Sequence, residues 1–211
     1  MILNRVCLIN STLVFRFDIS EVTRSFDIQT VDGFQFKEYT LRENLVDIAK
    51  FYRRNGYKTF TTAEEIALEM ESSRFFAICY SQNVVAGMWL HEGIVDINAP
   101  SFESLKLKHK HVVKFEENTV YSSNNLVDKS FRGCHLYSTL LLNVLHNIKD
   151  KKNYIIITGF DNRVMIESSY KYLGQIVGAV RTIRLFKCLW IRHRLIPSMT
   201  GHYLSSIPRN S

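Results

Sequence analysis

The chain has 211 residues, 46% of them hydrophobic and 22% charged, with a formal net charge of +7. That is the composition of a globular protein large enough for one well-buried core. No run approaches the roughly 18–20 apolar residues of a membrane helix. The four cysteines (Cys7, Cys79, Cys134, Cys188) show no CxxC or Cys/His spacing, which argues against a zinc site and a disulfide framework and for a reducing, cytoplasmic setting. The basic balance suits a polyanionic partner, whether nucleic acid, anionic lipid or a phosphate-rich cofactor, without choosing among them.

Residues 1–33 read as an N-terminal extension that carries a strand, 34–194 as one domain and 195–211 as a flexible tail. The alternating, aromatic-rich Thr12–Ile19 is the first predicted strand. The apolar stretch from Val6 is broken by Asn10, Ser11 and Thr12, so it reads as a strand rather than a secretory signal. Phe34–Tyr39 alternates as a second strand. Thr40 and Glu43 form a capping box before Leu45, Ile48, Ala49 and Tyr52 at helical spacing. Arg53 and Arg54 suit the last turn, and Asn55-Gly56 supplies a left-handed stop. Thr62 and Glu65 open another helix through about Ser72. Phe75–Tyr80 and Val84–Leu90 flank Ser81-Gln82-Asn83 as a hairpin. Gly93 to Lys110 has no regular pattern, and Val112–Phe115 and Thr119–Val127 are extended. A helix follows with the stripe Leu136, Leu140, Val144 and Ile148. Tyr154–Thr158 is a short apolar run of the central-strand kind. Met165–Tyr172 is a helix stopped by Gly174, and Val177–Ile191 is strand-like, in one bent piece or two. This order implies a mixed-sheet α/β or α+β domain.

The stretch from Thr119 to Leu142 carries the chemistry. A strand ends at Leu126 and Val127, a short polar turn holds Arg132-Gly133, and an amphipathic helix begins at once. Such a junction turns backbone N–H groups and the positive helix end toward one spot, which favours a phosphate or pyrophosphate. Arg132 adds a cation. Val127 to Leu141 (VDKSFRGCHLYSTLL) resembles motif A of the GNAT acyltransferase superfamily, in which a strand leads into Arg/Gln-x-x-Gly-x-Gly/Ala around the pyrophosphate of acetyl-CoA. Arg132 matches the first position and Leu136 the apolar residue between the two small ones. His135 and Tyr137 stand where the small residues are expected, and a β-carbon there crowds the pyrophosphate. Downstream, Asn162 and Tyr170-Lys171-Tyr172-Leu173-Gly174 are similar to motif B, with Gln175 in place of the usual Phe and one extra residue between Asn162 and Tyr170.

The resemblance implies an α/β fold, a mixed, splayed β-sheet with helices on both faces. It implies acetyl-CoA as co-substrate, no metal, and a small amine-bearing acceptor acylated by direct attack. It assigns Leu126, Val127, Arg132, Gly133, Cys134, His135, Leu136, Tyr137 and Asn162 to the cofactor and Tyr170 to protonation of the departing thiolate. A backbone N–H of Thr119–Val127 would polarise the thioester carbonyl. The N-terminal segment and the polar strand before motif A resemble GNAT-like proteins of envelope-polysaccharide pathways, which implies an amino-sugar acceptor. The alternative is a GNAT-fold binding module that has lost catalysis, for which His135 and Tyr137 speak.

Other residues have plainer readings. Lys106, Lys108, His109, Lys110, His111 and Lys114 form a basic cluster that suits a solvated face, with an anionic substrate, the 3′-phosphate of CoA or nucleic acid as rivals. Arg181, Arg184, Lys187, Arg192 and Arg194, with Trp190 close by, suit an anionic surface or, equally, a polar strand face. No nucleic-acid motif accompanies the charge, so no nucleic acid is expected. His91-Glu92 and Glu116-Glu117 are general-base candidates whose blander reading is solvated loop residues. No Ser/His/Asp order, HExxH or Walker loop is present. Cys134 sits at a helix N-terminus, where thiols acidify, with only His135 as a neighbouring base.

Overall fold

The computed structural model describes residues 7–40, 45–96, 112–114, 116–185 and 188–195. Its elements in chain order are β1 (Cys7–Asp18), α1 (Ile19–Ser25), β2 (Phe34–Tyr39), α2 (Leu45–Arg54), α3 (Ala63–Met70), β3 (Ser73–Tyr80) and β4 (Asn83–Glu92). There follow β5 (Ile94–Asp96), β6 (Val112–Lys114), β7 (Thr119–Val127), a 3₁₀ turn (Lys129–Phe131) and α4 (Leu136–Asn147). The chain continues through β8 (Asn153–Gly159), α5 (Arg163–Lys171), β9 (Gln175–Leu185) and β10 (Cys188–Leu195). Eight strands make one mixed sheet in the order β10-β9-β1-β8-β7-β4-β3-β2, and β5 and β6 form a separate ribbon. β7 and β8 run parallel; the other described pairs are antiparallel.

Local signals explain most boundaries. At the end of α2, Gly56 takes φ +82, Gly56 N–H donates to Arg53 O (3.0 Å) and Tyr57 N–H to Tyr52 O (3.1 Å), the paired bonds of a Schellman stop. α3 opens on the expected capping box, Thr62 accepting from the Glu65 amide while Glu65 accepts from the Thr62 amide, both at 3.2 Å. The β3–β4 turn is the two residues Ser81 and Gln82, both at positive φ, the backbone that matches strand twist in tight hairpins. Glu43 of the capping box expected at Thr40 and Glu43 lies outside the described residues, as does most of the basic cluster around Lys108.

Helices cover both faces of the sheet. On one face α2 and α3 close over Phe51, Tyr52, Phe60, Phe75 and Trp89, all essentially buried. On the other, α1 and α4 pack with Phe15, Phe17, Phe76 and Tyr154, and α5 lies against the same cluster through Met165 and Ile166. The predicted stripe Leu136, Leu140, Val144 and Ile148 is buried throughout. Among the described residues no helix is long and apolar enough to cross a membrane.

Three features depart from the sequence reading. β1, in the segment read as an extension, lies inside the sheet, with Phe15 opposite Ile156 of β8 and Ile176 of β9. The region after Gly93, expected to be irregular, begins with β5 paired to β6. The helix before Gly174 is stopped by Leu173, which takes φ +64. Gly174 serves close approach instead, because a β-carbon there would fall 2.7 Å from both the Ser169 carbonyl oxygen and Phe17.

Candidate acyl-CoA site

The site begins where two parallel strands part. β7 and β8 pair only from Thr119↔Asn153 to Ser122↔Ile156. Beyond that level Ser123 to Val127 stay with β4, while Ile157 to Gly159 stay with β1. A bulge drives the separation: the β4–β7 register shifts between Gly87 and Trp89, and Asn124 sits at φ +51. A bulge bends its strand and frees ladder groups on that side. The splayed sheet implied by the sequence is present.

The polar turn lies at the open end of this gap. Asp128 is buried and ties it down. Its amide donates to Val85 O at 2.8 Å, its Oδ1 accepts from the Ser130 amide at 3.0 Å, and its Oδ2 meets Arg54 Nε at 2.5 Å. Arg54 also donates to Val84 O. Burial alone would raise the Asp128 carboxyl, but the Ser130 amide and the Arg54 guanidinium more than offset that and hold it below the usual range. Arg54 is therefore more than a helix-end cation: it fixes the polar turn to α2. Neither residue was singled out from sequence for this role, because the partners are 74 positions apart.

After the turn, Arg132, Gly133, Cys134 and His135 are exposed in succession, and Leu136 enters the core. Gly133 has φ +87, and His135, the N-cap of α4, has φ +57 with no side-chain capping bond. The first amides of α4 are thus not claimed by a cap. The left-handed backbone at His135 is the conformation for which glycine is suited at this motif position, so His135 keeps the backbone path while its ring stays in solvent. His135→Gly should stabilise the fold by about 0.5–1 kcal/mol, since left-handed backbone costs an L-residue roughly 1–2 kcal/mol and glycine returns part of that as unfolded-chain entropy. Denaturant melts measure the gain. Acetyl-CoA affinity, read by calorimetry, should be kept; a tenfold loss would assign the imidazole a role of its own.

Leu126 and Val127 are half-buried on the β7 side of the gap. Tyr137 is half-buried with its hydroxyl inside, beside Asn125. Tyr137 Oη, Asn125 Oδ1 and Tyr172 Oη have no hydrogen-bond partner among the described residues. Buried polar atoms of this kind call for a ligand or water. Asn125 Nδ2 and Tyr154 Oη both donate to Ser122 Oγ, at 3.0 and 2.7 Å, so the floor of the gap is polar on the α4 face. Asn162 caps α5, accepting from the Met165 amide at 3.2 Å, which leaves its amide NH₂ for other partners. Tyr170 is 55% exposed and meets Phe15 edge-on at 5.4 Å. It is no core aromatic. A cavity of about 590 Å³ lined by Arg54, Tyr80, Asn83, Asp128 and Phe131 adjoins the turn rather than the strand gap.

No protein-family model and no curated protein sequence matches the chain. Solved structures do. A tandem GNAT protein from the clavulanic acid biosynthesis pathway is 9% identical with a TM-score of 0.54, covering 88% of this chain and 54% of its own. A GNAT-family protein from Novosphingobium aromaticivorans is 10% identical with a TM-score of 0.54, covering 86% and 66%. A Drosophila protein is 11% identical with a TM-score of 0.56, covering 88% and 55%. The fold of the chain is thus the GNAT acetyltransferase fold, and the chain spans roughly half to two thirds of the length of these neighbours.

Proposed function

We propose that the chain is an acyl-CoA-dependent N-acyltransferase acting on a primary amine. One observation carries the reading: β7 and β8 part after Ser122↔Ile156 and their open end meets the left-handed turn and α4 N-terminus. The freed edges offer backbone groups to an extended pantetheine arm in the manner of strand addition, with Asn125 and Tyr137 as buried polar partners. Leu126 and Val127 would flank the arm and Asn162 would reach it through its NH₂. Arg132 and the amides of Gly133 and of His135 to Tyr137 would take the pyrophosphate, His135 by backbone alone, while the Cys134 amide, which donates to Phe131 O at 3.4 Å, holds the turn beneath it. Tyr170 would give its proton to the departing thiolate. An amino sugar is the acceptor we test first.

Arg132→Ala should weaken CoA by about tenfold, near 1.4 kcal/mol, while leaving a pantetheine fragment without the pyrophosphate unaffected. Calorimetry with both ligands checks this, and equal losses would move the pyrophosphate elsewhere. The binding-module alternative predicts no acetyl-CoA-dependent rise in melting temperature, whereas a bound co-substrate stabilises by mass action.

A further inference from the structure

On the α2–α3 face, a chain of polar side chains crosses the aromatic cluster and ends at the strand gap. Ser73 Oγ donates to Glu69 Oε1 at 3.3 Å and lies 2.8 Å from His91 Nδ1. His91 Nε2 lies 2.7 Å from Ser123 Oγ, which also accepts from Asn124 Nδ2 at 3.3 Å. His91 and Ser123 are each only 7% exposed. Ser123 is the first β7 residue beyond the last β7–β8 pair, so its backbone stands where the gap opens, while its hydroxyl leans to His91 of β4.

With the single Ser73 O–H spent on Glu69, His91 Nδ1 donates to Ser73. Its Nε2 is then an acceptor, and Ser123 gives its proton to it. The titratable groups packed against the imidazole among the described residues are Glu69 of α3, 3.6 Å from Nδ1, and Tyr121 of β7, stacked at 5.6 Å. Burial raises both of their pKa values and lowers that of His91 to about 4, so the ring is neutral at neutral pH and its Nε2 can accept the Ser123 hydrogen bond.

We propose that Ser123 receives the proton lost by the attacking amine and passes its own to His91 Nε2, with Ser73 and Glu69 holding the imidazole in that tautomer. The proposal rests on the acyltransferase reading above. As the C–N bond forms, the amine nitrogen loses one proton to Ser123 Oγ and the Ser123 proton moves to His91. As the C–S bond breaks, the sulfur keeps the bonding pair and takes a proton from Tyr170. The proton on His91 and the one missing from Tyr170 are then exchanged with solvent, which restores the protein. Tyr170 and Ser123 belong to opposite faces of the sheet, so proton removal and proton delivery are separated across the gap. Ser123 is the catalytic residue here; His91 acts through it.

The test is acetyl-CoA-dependent thiol release with glucosamine, an aminoglycoside and a lysine-bearing peptide as acceptors, across pH 6–10, beside acetyl-CoA calorimetry. Ser123→Ala and His91→Gln should bind acetyl-CoA within about twofold of the parent yet lose roughly 10²-fold in turnover at neutral pH. The loss should narrow toward pH 10, where hydroxide removes the proton. Ser123→Thr keeps the hydroxyl and should recover most of the rate. Should His91→Gln fail to fold, Ser123→Ala removes a single oxygen and carries the test. An active parent with equally active variants overturns the relay alone. A parent that neither binds acetyl-CoA nor releases thiol overturns the acyltransferase reading and the relay with it.

Discussion

Tyr170→Phe is expected to leave acetyl-CoA binding intact and to slow single-turnover acylation by about 10²-fold or more, the scale of a lost general acid. The thiolate of a cleaved thioester needs a proton, and a phenol is acidic enough to supply it once the sulfur carries charge. α5 brings the Tyr170 ring onto Phe15 at 5.4 Å. Phe15 pairs with Ile156, and Ile156 is the last β8 residue to pair with β7. The tyrosine therefore stands at the level where the gap opens, one strand away. Removing its hydroxyl should change stability by no more than about 1 kcal/mol. Tyr170→Ala should also cost little, about 0.5–1.5 kcal/mol for the lost ring pair, because more than half of the side chain is already in solvent. A large kinetic loss with a nearly constant melting temperature is thus the expected signature. Parental turnover in Tyr170→Phe would reduce the residue to a surface aromatic.

The elements set by neighbours in sequence were legible, and those set by distant pairing were not. The alternation of Phe34–Tyr39, the extended run Thr119–Val127 and the capping box at Thr62 are short-range patterns, and the structure places the strands at those bounds and the cap at that residue. α1 has only seven residues, too few to show a helical period, and its Asp18 cap, accepting from the Glu21 amide at 3.1 Å, is an ordinary aspartate in sequence. The seat of β1 between β8 and β9 depends on a register with residues 135–178 positions away, which no local pattern encodes. The turn from Arg132 to Tyr137 was readable because a motif describes backbone shape, and His135 adopts that shape without glycine. The proton chain as a whole was not. Its members come from α3, β3, β4 and β7, and of them the sequence offers only His91, paired with Glu92 as a general-base candidate whose blander reading is a solvated loop residue. The two point apart: Glu92 meets Lys151 at 2.6 Å in solvent, while His91 turns into the core. Glu116 and Glu117 are exposed, as expected.

The buried imidazole should also leave a mark on acid stability that does not depend on catalysis. Burial holds His91 neutral in the folded state, with a pKa of about 4 against about 6.5 for an unfolded histidine. Between those values the unfolded chain binds a proton that the folded chain refuses, so stability falls as pH drops. The stability that this group contributes is whole above pH 6.5 and has been lost once pH passes below about 4, a difference on the order of 3 kcal/mol. Glu69 works in the opposite sense, because its raised pKa lets the folded state bind a proton earlier than the unfolded one. Asp18 and Asp128 are lowered below 3.8 and act only beneath this window. The clean measurement is therefore a difference. Urea unfolding of the parent and of His91→Gln at pH 7, 6, 5 and 4 should show the parent's advantage shrinking by about 3 kcal/mol toward pH 4, while Glu69 and the aspartates largely cancel between the two. A difference that stays flat across the series would mean that solvent reaches the ring in the folded state. An imidazole open to water would not need Ser73 and Ser123 to set its tautomer, and the inward direction of the proton chain would lose its basis.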